Sequence, residues 1–464
     1  MSGGLKAALL LVTAIVVAAA LASTGSRPTP AAPSVPVRAA PYPPLLGFVD
    51  KARRAELVRV DPGTLRPRHG TRVPAGSQAC ASSSGGQACW TVPAWSFAPH
   101  RPLLAVARHD RGVAGSLRVV HVRRMRVTAD VPLGAGAVGA LAWLSPDRVL
   151  AVQEVCCEER QRLVAVDLIR RRVAARRPLG GSVQRVGRTD RELVLLVAPA
   201  QQIGPARIAV ADAGGVIRAV RLDRILAGVK MLPGGDFRVE QNVPGLAVDP
   251  KGRRAFVVGP DLIAEVDLAT LAVTYRKPEP AASALARLLG WLDPPAHAKG
   301  ATGPARSAHW IGADRLVVTG TDEDVVDDAG GEQHSRIRAA GLSIIDTRNW
   351  SFRTIDDGAA EMHVAGDLLL ATGSSFDPAT PKGESTGLSA YGLDGRKRFQ
   401  LFEGREVWVR HVYAGRAYVE VPLTKPPWFA LRVVDLGTGR VARAERAGPL
   451  PWLLLDAASG RWEG

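Results

Sequence analysis

One segment sets the pattern for this chain: VPGLAVDPKGRRAFVVGPDLIAEVDLATLAVTYRKP, at Val243–Pro278. It contains four short runs of apolar and β-branched residues, which are GLAVD, RRAFVVG, LIAEVD and LAVTYRK. Gly, Pro or Asp stands at the breaks between the runs, as is typical where strands end in turns. Alternating or continuous apolar runs of this length are typical of half-buried or buried strands. The segment therefore predicts one small sheet of four strands.

The third run of this unit recurs along the chain as an apolar run that ends in Asp or a substitute. Eight segments fit it: ELVRVD (Glu56–Asp61), LRVVH (Leu117–His121), LVAVD (Leu163–Asp167), IAVAD (Ile208–Asp212), IAEVD (Ile263–Asp267), LSIID (Leu342–Asp346), LSAYG (Leu388–Gly392) and LRVVD (Leu431–Asp435). Their ends are 60, 46, 45, 55, 79, 46 and 43 residues apart, and the short spacings have the size of one four-stranded blade. The chain is therefore predicted to be an all-β propeller, with eight blades favoured and seven as the fallback.

The two ends of the repeat region complement each other. Leu45–Asp50 has the pattern of a second strand without a first, and Leu453–Trp462 has that of a first strand and turn without a continuation. Small sheets that stack around an axis bury their faces on one another, and closing the ring removes the exposed ends. We expect the two ends to pair as strands and so to close the ring.

The residues before the repeats have the composition of an export segment and a linker. An apolar run ends at Ala22 in a small-x-small cleavage site, so residues 1–22 are predicted to be a signal peptide. The alternative is an uncleaved anchor that tethers the protein to a membrane through residues 5–22. Residues 23–44 are rich in Pro and Ala and predict a linker before the propeller at 45–464. We expect an exported protein that is extracellular or associated with the cell envelope.

The charge of the chain is strongly positive. Lys plus Arg number 60 and Asp plus Glu 44, which gives a net charge of +16. The basic residues are scattered and aromatic residues make up only 5%, whereas nucleic-acid modules concentrate both in one segment. We therefore expect no nucleic-acid partner. The expected partners of the protein, which is predicted to be a monomer, are an unknown protein or an anionic envelope polymer.

The longest spacing, 79 residues between Asp267 and Asp346, contains two insertions that are expected to shape one end of the propeller. The first covers residues 278–309, where leucines at i, i+3, i+4 and i+7 between prolines predict a short helix. The second, residues 321–340, is predicted to be an acidic loop. Trp291 and Trp310 flank the first insertion and are candidates for facing a ligand. The alternative for the tryptophans is packing between blades.

The acidic loop supplies the only candidates for metal ligation, and no metal site is assigned. They are Asp322, Asp324, Asp327 and Asp328. Carboxylate oxygens suit Ca²⁺, but the spacing and the glycine of an EF-hand are absent. The alternative is a solvated loop.

Four cysteines form two sets, and export favours their oxidation. Cys80 and Cys89 close a loop rich in Ser and Gly and are the first candidates for a disulfide. Cys156 and Cys157 are adjacent, so a bond between them would be strained. Pairing across the two sets remains open.

The nine histidines are dispersed and show no metal-ligand spacing. His297, His309, His363 and His411 are candidates to approach a central channel, because several of them lie near first strands. The alternative is an ordinary hydrogen-bonded histidine in a strand.

The segments GLAVDPKGRRAFVV, LIAEVDLATLAV and VVDLGTGRV resemble the repeats of secreted bacterial β-propellers of the YVTN or quinoprotein type. The resemblance covers about Leu45 to Trp462. It implies a propeller fold, but these families include binding scaffolds, lyases and quinone-dependent enzymes. The tryptophan signature of quinoprotein repeats is absent after Asp435-Leu-Gly-Thr-Gly-Arg-Val, and no cofactor is predicted.

Two short strings match catalytic or cofactor motifs but lack their structural context. Gly134–Gly139 has the spacing of a dinucleotide fingerprint and Gly383–Gly387 that of a nucleophile elbow, yet neither opens a predicted helix. No catalytic or cofactor-binding residue is therefore assigned. The leading hypothesis is an exported, non-enzymatic binding scaffold of the cell envelope. The alternative is a propeller enzyme of the lyase or lactonase type, with its site at the channel mouth.

Overall fold

The computed structural model describes residues 45–51, 54–62, 66–77, 79–83, 86–90, 93–98, 101–110, 114–155, 160–231, 239–249, 251–280, 303–327, 333–374, 385–424, 429–442 and 453–455. They belong to one compact unit, Pro43–Gly464. The predicted signal peptide, linker and inserted helix lie outside the described residues. Among those described, no helix is long and apolar enough to cross a membrane.

The described elements are strands. In chain order they are β1 (Leu45–Lys51), β2 (Arg54–Val60), β3 (Val73–Ser77), β4 (Ala79–Ser83), β5 (Gly86–Trp90), β6 (Trp95–Phe97), β7 (Leu103–Asp110), β8 (Ala114–His121), β9 (Arg126–Ala135), β10 (Ala137–Ser145), β11 (Arg148–Val155), β12 (Arg160–Asp167), β13 (Arg172–Pro178), β14 (Ser182–Arg188), β15 (Glu192–Ala198), β16 (Gly204–Asp212), β17 (Ile217–Met231), β18 (Val239–Asn242), β19 (Gly245–Val248), β20 (Arg254–Val258), β21 (Ile263–Asp267), β22 (Val273–Arg276), β23 (Glu279–Pro280), β24 (Ala305–Gly312), β25 (Arg315–Asp327), β26 (Gln333–Ala339), β27 (Leu342–Asp346), β28 (Ser351–Asp356), β29 (Glu361–Ala365), β30 (Leu368–Ser374), β31 (Ser385–Gly392), β32 (Lys397–Leu401), β33 (Trp408–Tyr413), β34 (Arg416–Pro422), β35 (Phe429–Asp435), β36 (Arg440–Ala442) and β37 (Leu453–Leu455).

The described strands contain eight antiparallel groups of four, which we number as sheets one to eight. In order of pairing they are β37-β1-β2-β3, β6-β7-β8-β9, β10-β11-β12-β13, β14-β15-β16-β17, β19-β20-β21-β22, β24-β25-β27-β28, β29-β30-β31-β32 and β33-β34-β35-β36. Sheets one and two are also joined by a single parallel pair, Gly76 opposite His109. A Cβ at Gly76 would lie 2.6 Å from the carbonyl oxygen of His109, so only glycine allows this approach.

The eight recurring segments recognised in the sequence, six of which end in Asp, all belong to third strands of these sheets. The turn that follows is built by the aspartate: the Asp267 carboxylate accepts hydrogen bonds from the backbone of Ala269 and Thr270. Asp435 accepts the equivalent bond from Thr438. Four residues after the aspartate the backbone takes a positive φ, 60° at Leu271 and 66° at Gly439. These local bonds explain why the repeat is visible in the sequence.

Neighbouring sheets share apolar cores. Val194 of sheet four packs with Val257 of sheet five, for example, and Phe256 of sheet five packs with Leu316 of sheet six. Sheets one and eight are joined in the same way, because Leu45 and Tyr418 belong to one buried cluster. The sheets therefore follow one another around an axis, which is the arrangement of a β-propeller.

The strand expected from the end of the repeats pairs as the sequence predicted. β37 lies antiparallel to β1, with Leu46 opposite Leu455 and Phe48 opposite Leu453. The first strand of sheet one is thus supplied from a position about four hundred residues later in the chain than its second strand.

The first strands form the inner wall of the propeller. β6 contacts β10, β14 contacts β19, β19 contacts β24, β24 contacts β29, and β33 contacts β37. In a propeller these strands surround a central channel. Every residue of β14 is half-buried, as expected for a strand that lines an aqueous passage.

Both predicted insertions connect strands at the same end of the propeller, but their local structure differs from expectation. Residues 321–340 were expected to be a loop, whereas 321–327 continue β25 and pair with β26 in a hairpin. Asp322 faces Arg338 and Asp324 faces Arg336 in this ladder. Residues 305–309, assigned to the first insertion, instead belong to β24. The string Gly134–Gly139 runs from the end of β9 into β10, and Ser385–Gly387 begins β31. Both strings therefore occur in strands rather than before helices.

Candidate functional site

The charged groups of the channel wall are concentrated on four first strands. These strands contribute Arg185 and Arg188 (β14), Arg306 and His309 (β24), Glu361 and His363 (β29), and Arg410 and His411 (β33). The first strands β37, β6, β10 and β19 carry no ionisable residue. The described first strands therefore contain four guanidinium groups and three imidazoles but only one carboxylate. We call these eight residues the channel cluster.

The three histidines of the channel cluster are half-buried and influence one another. Desolvation, together with smaller contributions from the nearby His309 and Arg410 charges, lowers the pKa of His363 to about 4. Desolvation also lowers the pKa of His411 to about 4, with a smaller contribution from His363. The pKa of His309 is lowered by desolvation and by the charge of Arg185. At neutral pH all three imidazoles are therefore uncharged, and each can donate one hydrogen bond and accept another.

Arg185 connects β14 to β24 across the intervening strand β19. Its Nη2 donates to the carbonyl oxygen of Arg306 at 3.2 Å, and its Nη1 donates to that of Gln184 at 3.4 Å. The span is short because β19 packs tightly: a Cβ on Gly245 would lie 3.0 Å from the Cβ of Ala308. Desolvation lowers the pKa of Arg185, yet a guanidinium remains protonated in proteins. No carboxylate of the described residues pairs with it.

The other arginines of the channel cluster are better compensated. Arg306 donates to the Asp322 carboxylate at 2.6 Å and to the Thr321 carbonyl oxygen at 2.8 Å. Arg410 donates to Glu420 at 2.6 Å. For Arg188, desolvation lowers the pKa while the charge of Asp190 raises it. Arg185 is therefore the cation in this wall whose charge is least balanced.

The pairing of Arg306 bears on the metal hypothesis, because it engages one of the four candidate carboxylates. Asp324 and Asp327 lie in the same strand, opposite Arg336 and Gln333, and Asp328 lies outside the described residues. In the part of the chain that the structure describes, no three His, Cys, Asp or Glu residues are grouped as a metal site. Asp322 is thus engaged in an ion pair within a strand, and metal ligation by these carboxylates stays a prediction.

Trp310 lies in packing between sheets five and six. Its ring stacks on Phe256 with 5.4 Å between the ring centroids and 14° between the planes. The Arg254 guanidinium lies 5.6 Å from the centre of the Trp310 ring. These contacts correspond to the inter-blade alternative rather than to a ligand face. Trp291 and His297 lie outside the described residues.

The cysteine prediction is supported in part by strand register. β4 and β5 form a two-stranded hairpin in which Cys80 is directly opposite Cys89. Cα atoms of directly opposed residues in an antiparallel pair are about 4.5–5.5 Å apart, within the range that a disulfide spans. Cys156 and Cys157 lie outside the described residues. The Cys80–Cys89 bond stays a prediction, with a backbone that allows it.

The sequence identified the channel histidines as candidates but not the arginines that accompany them. His309, His363 and His411 all lie in first strands. Arg185 and Arg188 were missed because β14, SVQRVGR, has little apolar periodicity. The sequence signal for β14 was the repeat itself, since a four-stranded unit requires a first strand before β15.

Comparisons with solved structures agree with this architecture. The chain is similar to dihydro-heme d1 dehydrogenase NirN in complex with DHE, with a TM-score of 0.51, 14% identity, and coverage of 95% of this chain and 79% of that one. It is also similar to the β-propeller domain of Cps50 (Swd1) from Myceliophteria thermophila, at 12% identity, a TM-score of 0.36, and coverage of 75% and 95%. A functionally unknown protein from Desulfotomaculum acetoxidans matches at 13% identity, a TM-score of 0.36, and coverage of 77% and 95%. No family model and no curated protein matches the chain. The similarity to the first structure shows the fold alone.

Proposed function

We propose that the protein is an exported, non-enzymatic binding propeller of the cell envelope, and that its channel cluster holds a small anionic ligand. The observation that carries this proposal is the charge of Arg185, which is desolvated and bonded only to carbonyl oxygens among the described residues. A buried cation without a carboxylate is costly, and an anion that supplies the missing charge is bound favourably. Export is supported by the apolar run that ends at Ala22.

The neutral imidazoles suit the same ligand. Arg185 supplies a fixed positive charge and His309, whose pKa this charge lowers, lies near it. An anion placed between them would favour the protonated imidazole and would raise its pKa. Binding would then be coupled to proton uptake, so affinity would increase as the pH falls towards the free histidine's titration range.

The test uses sulfate as the probe, because its charge does not change between pH 5.5 and 8. We expect sulfate to bind the wild type by calorimetry, more tightly at the lower pH, and Arg185→Gln to lose at least tenfold in affinity. Charged hydrogen bonds to an anion contribute about 1.5–3 kcal/mol, which corresponds to a loss of this size. The matched control is Arg221→Gln, which removes an exposed arginine paired with Asp223 and should leave binding unchanged.

Equal affinity in the two variants would contradict the proposal, as would binding that strengthens with rising pH. The unfolding transition of each variant, measured without sulfate, verifies that the fold is retained. Sulfate stabilises most proteins by exclusion from their surface, and the Arg221→Gln control shares that general effect.

The alternative function is an enzyme with its site in the same channel. Neutral His363 and His411 have the unprotonated nitrogen that a general base needs. These uncharged imidazoles are the observation in favour, because the similar dehydrogenase structure is 14% identical and shows the fold alone. Metal analysis of the purified protein with and without chelator separates the readings, since a stoichiometric metal removed by chelator would favour the enzyme.

A further inference from the structure

A second concentration of positive charge lies away from the channel, at the outer turns of sheets two and three. These turns join third to fourth strands and carry the exposed arginines Arg123, Arg124, Arg126, Arg170, Arg171 and Arg172. Met125 and Arg171, at equivalent positions of the two turns, have φ angles of 48° and 51°. Equivalent turns of neighbouring blades lie at the same end of a propeller. We call these six residues the arginine surface.

The turn of sheet three contacts the neighbouring strand β9 of sheet two. Arg171 reaches from sheet three to the Thr128 carbonyl oxygen of sheet two at 3.5 Å. Further along the same edge, Arg176 donates to the Leu133 carbonyl oxygen at 3.4 Å. Arg59 of sheet one donates to the carbonyl oxygen of Arg123. The two groups of arginines therefore lie on adjoining edges of sheets two and three, and we treat them as one surface.

The positive charge of this patch is almost uncompensated. Within the described part of the chain, only Arg170 has a carboxylate within ion-pair distance, Asp167 at 3.8 Å. Asp167 and Asp147, the two carboxylates at this edge of sheet three, both pair with Arg148, at 3.2 and 3.8 Å. At the equivalent turns of sheets six and seven, by contrast, Arg348 pairs with Asp346 and both Arg396 and Arg398 pair with Asp394.

An exposed aliphatic side chain belongs to the same turn as three of these arginines. Ile169 is 77% exposed and directly precedes Arg170–Arg172. Val127, which follows Arg126 in the neighbouring turn, is 36% exposed. Aliphatic tips surrounded by cations are suited to the boundary between lipid headgroups and acyl chains, where the apolar group is buried and the cations meet phosphates.

We propose that the arginine surface docks the propeller on an anionic lipid bilayer. The guanidinium groups bind headgroup phosphates, and Ile169 enters the interface between them. A polyanionic polymer in water would match the charge but would offer Ile169 no apolar phase. The surface lies at outer turns, apart from the first strands that carry the channel cluster, so the two sites can be occupied together.

The experiment compares two triple variants of the full chain that remove the same charge. Arg123→Gln/Arg124→Gln/Arg172→Gln alters arginines whose side chains have no bonds within the described chain, whereas Arg348→Gln/Arg396→Gln/Arg398→Gln alters paired ones at equivalent turns. Sedimentation with phosphatidylcholine vesicles containing 30% phosphatidylglycerol should show a loss on the order of 100-fold for the first variant, because each basic residue contributes severalfold. The second variant should lose much less, and 0.5 M salt should abolish the difference.

Each other outcome overturns the proposal. Equal losses in the two variants would mean that net charge alone matters, and no loss in either would mean that the N-terminal apolar run alone holds the vesicle. The second probe is soluble polyphosphate. If the protein binds polyphosphate and vesicles equally well, and Ile169→Ser changes neither affinity, the surface is a polymer site instead. We expect Ile169→Ser to weaken binding to vesicles and to leave binding to polyphosphate unchanged. Circular dichroism of each variant verifies the fold.

Discussion

Arg254 and Arg172 show the two ways in which this propeller uses its arginines. Arg254 is half-buried, donates to Glu265 at 3.2 Å and to Asp314 at 3.0 Å, and lies 5.4 Å from the centre of the Phe256 ring. It thereby joins sheets five and six. Arg172 is exposed at the edge of sheet three and has no acidic partner among the described residues. The carboxylates and aromatic rings around Arg254 identify it as an arginine that stabilises the fold. Arg172 lacks such neighbours and is available to a partner.

The largest expected effect on stability comes from removing the ion-paired Arg254. Arg254→Gln would leave Asp314 without its guanidinium partner and Glu265 with Arg276 alone, at 3.5 Å. It would also remove a contact with Phe256 and Trp310. We expect the free energy of unfolding to decrease by about 2 kcal/mol, because a partly buried carboxylate loses a charged hydrogen bond. Urea denaturation measures it. The neighbouring Arg253, whose side chain is 68% exposed and 3.9 Å from Asp249, supplies the control, and an equal loss in Arg253→Gln would refute the distinction.

A smaller effect is expected when acid titrates the paired turns. A hydrogen bond from the Arg348 side chain lowers the pKa of Asp346 to about 2, and the Thr270 backbone amide lowers that of Asp267. An unfolded aspartate has a pKa of about 3.9, so these groups stabilise the fold fully above that pH. The contribution of Asp346 is lost as the pH falls from about 4 to about 2, and that of Asp267 is lost as the pH falls through its lowered pKa. Unfolding curves at pH 5, 3.5 and 2.5 should show a smaller acid loss for Asp346→Asn than for the wild type.

The matching control for the acid experiment is Arg172→Gln, since no aspartate depends on Arg172. It should lose stability on acidification in parallel with the wild type. A loss as small as that of Asp346→Asn would show that Arg172 has an acidic partner after all, and the contrast between the two regions would fail.

The smallest expected effect is that of Arg123→Gln/Arg124→Gln/Arg172→Gln on stability itself. Exposed arginines without carboxylate partners contribute little to folding, so the free energy of unfolding should change by less than about 0.5 kcal/mol. Removing like charges that repel one another could even raise it slightly. Denaturation of the purified triple variant measures this, and a loss above about 1 kcal/mol would assign these arginines to the fold rather than to a partner.

The third strands were predictable from the sequence for a local reason, and the first strands were not. An aspartate such as Asp267 binds the amides of its own turn, so its signal lies within a few residues. β14 is surrounded by β19 and β24, which come much later in the chain. Its own polar and apolar residues do not alternate, so no local pattern marks it as a strand. Likewise the stack of Trp310 on Phe256 joins positions 54 residues apart, which no local pattern records.

The acidic run was assigned to a loop because Asp and Glu are rare in strands. In the structure, arginines on β26 lie opposite these acids in the ladder, as Arg338 does opposite Asp322. Oppositely charged residues across a strand pair stabilise it, and this compensation becomes visible only when the register is known. Among the channel groups, the histidines were recognised by residue type, whereas the uncompensated charge of Arg185 required the neighbouring strands to be placed.

The pairing of β37 with β1 has a consequence for how the protein is made. During synthesis Leu45–Lys51 leaves the ribosome about four hundred residues before Leu453–Leu455, which is roughly 20–80 s at ordinary elongation rates. Throughout that interval one edge of a strongly apolar strand has no hydrogen-bonding partner. Such an edge is a template for aggregation, so the nascent chain needs a chaperone or a transient substitute strand until Leu453–Leu455 has been synthesised.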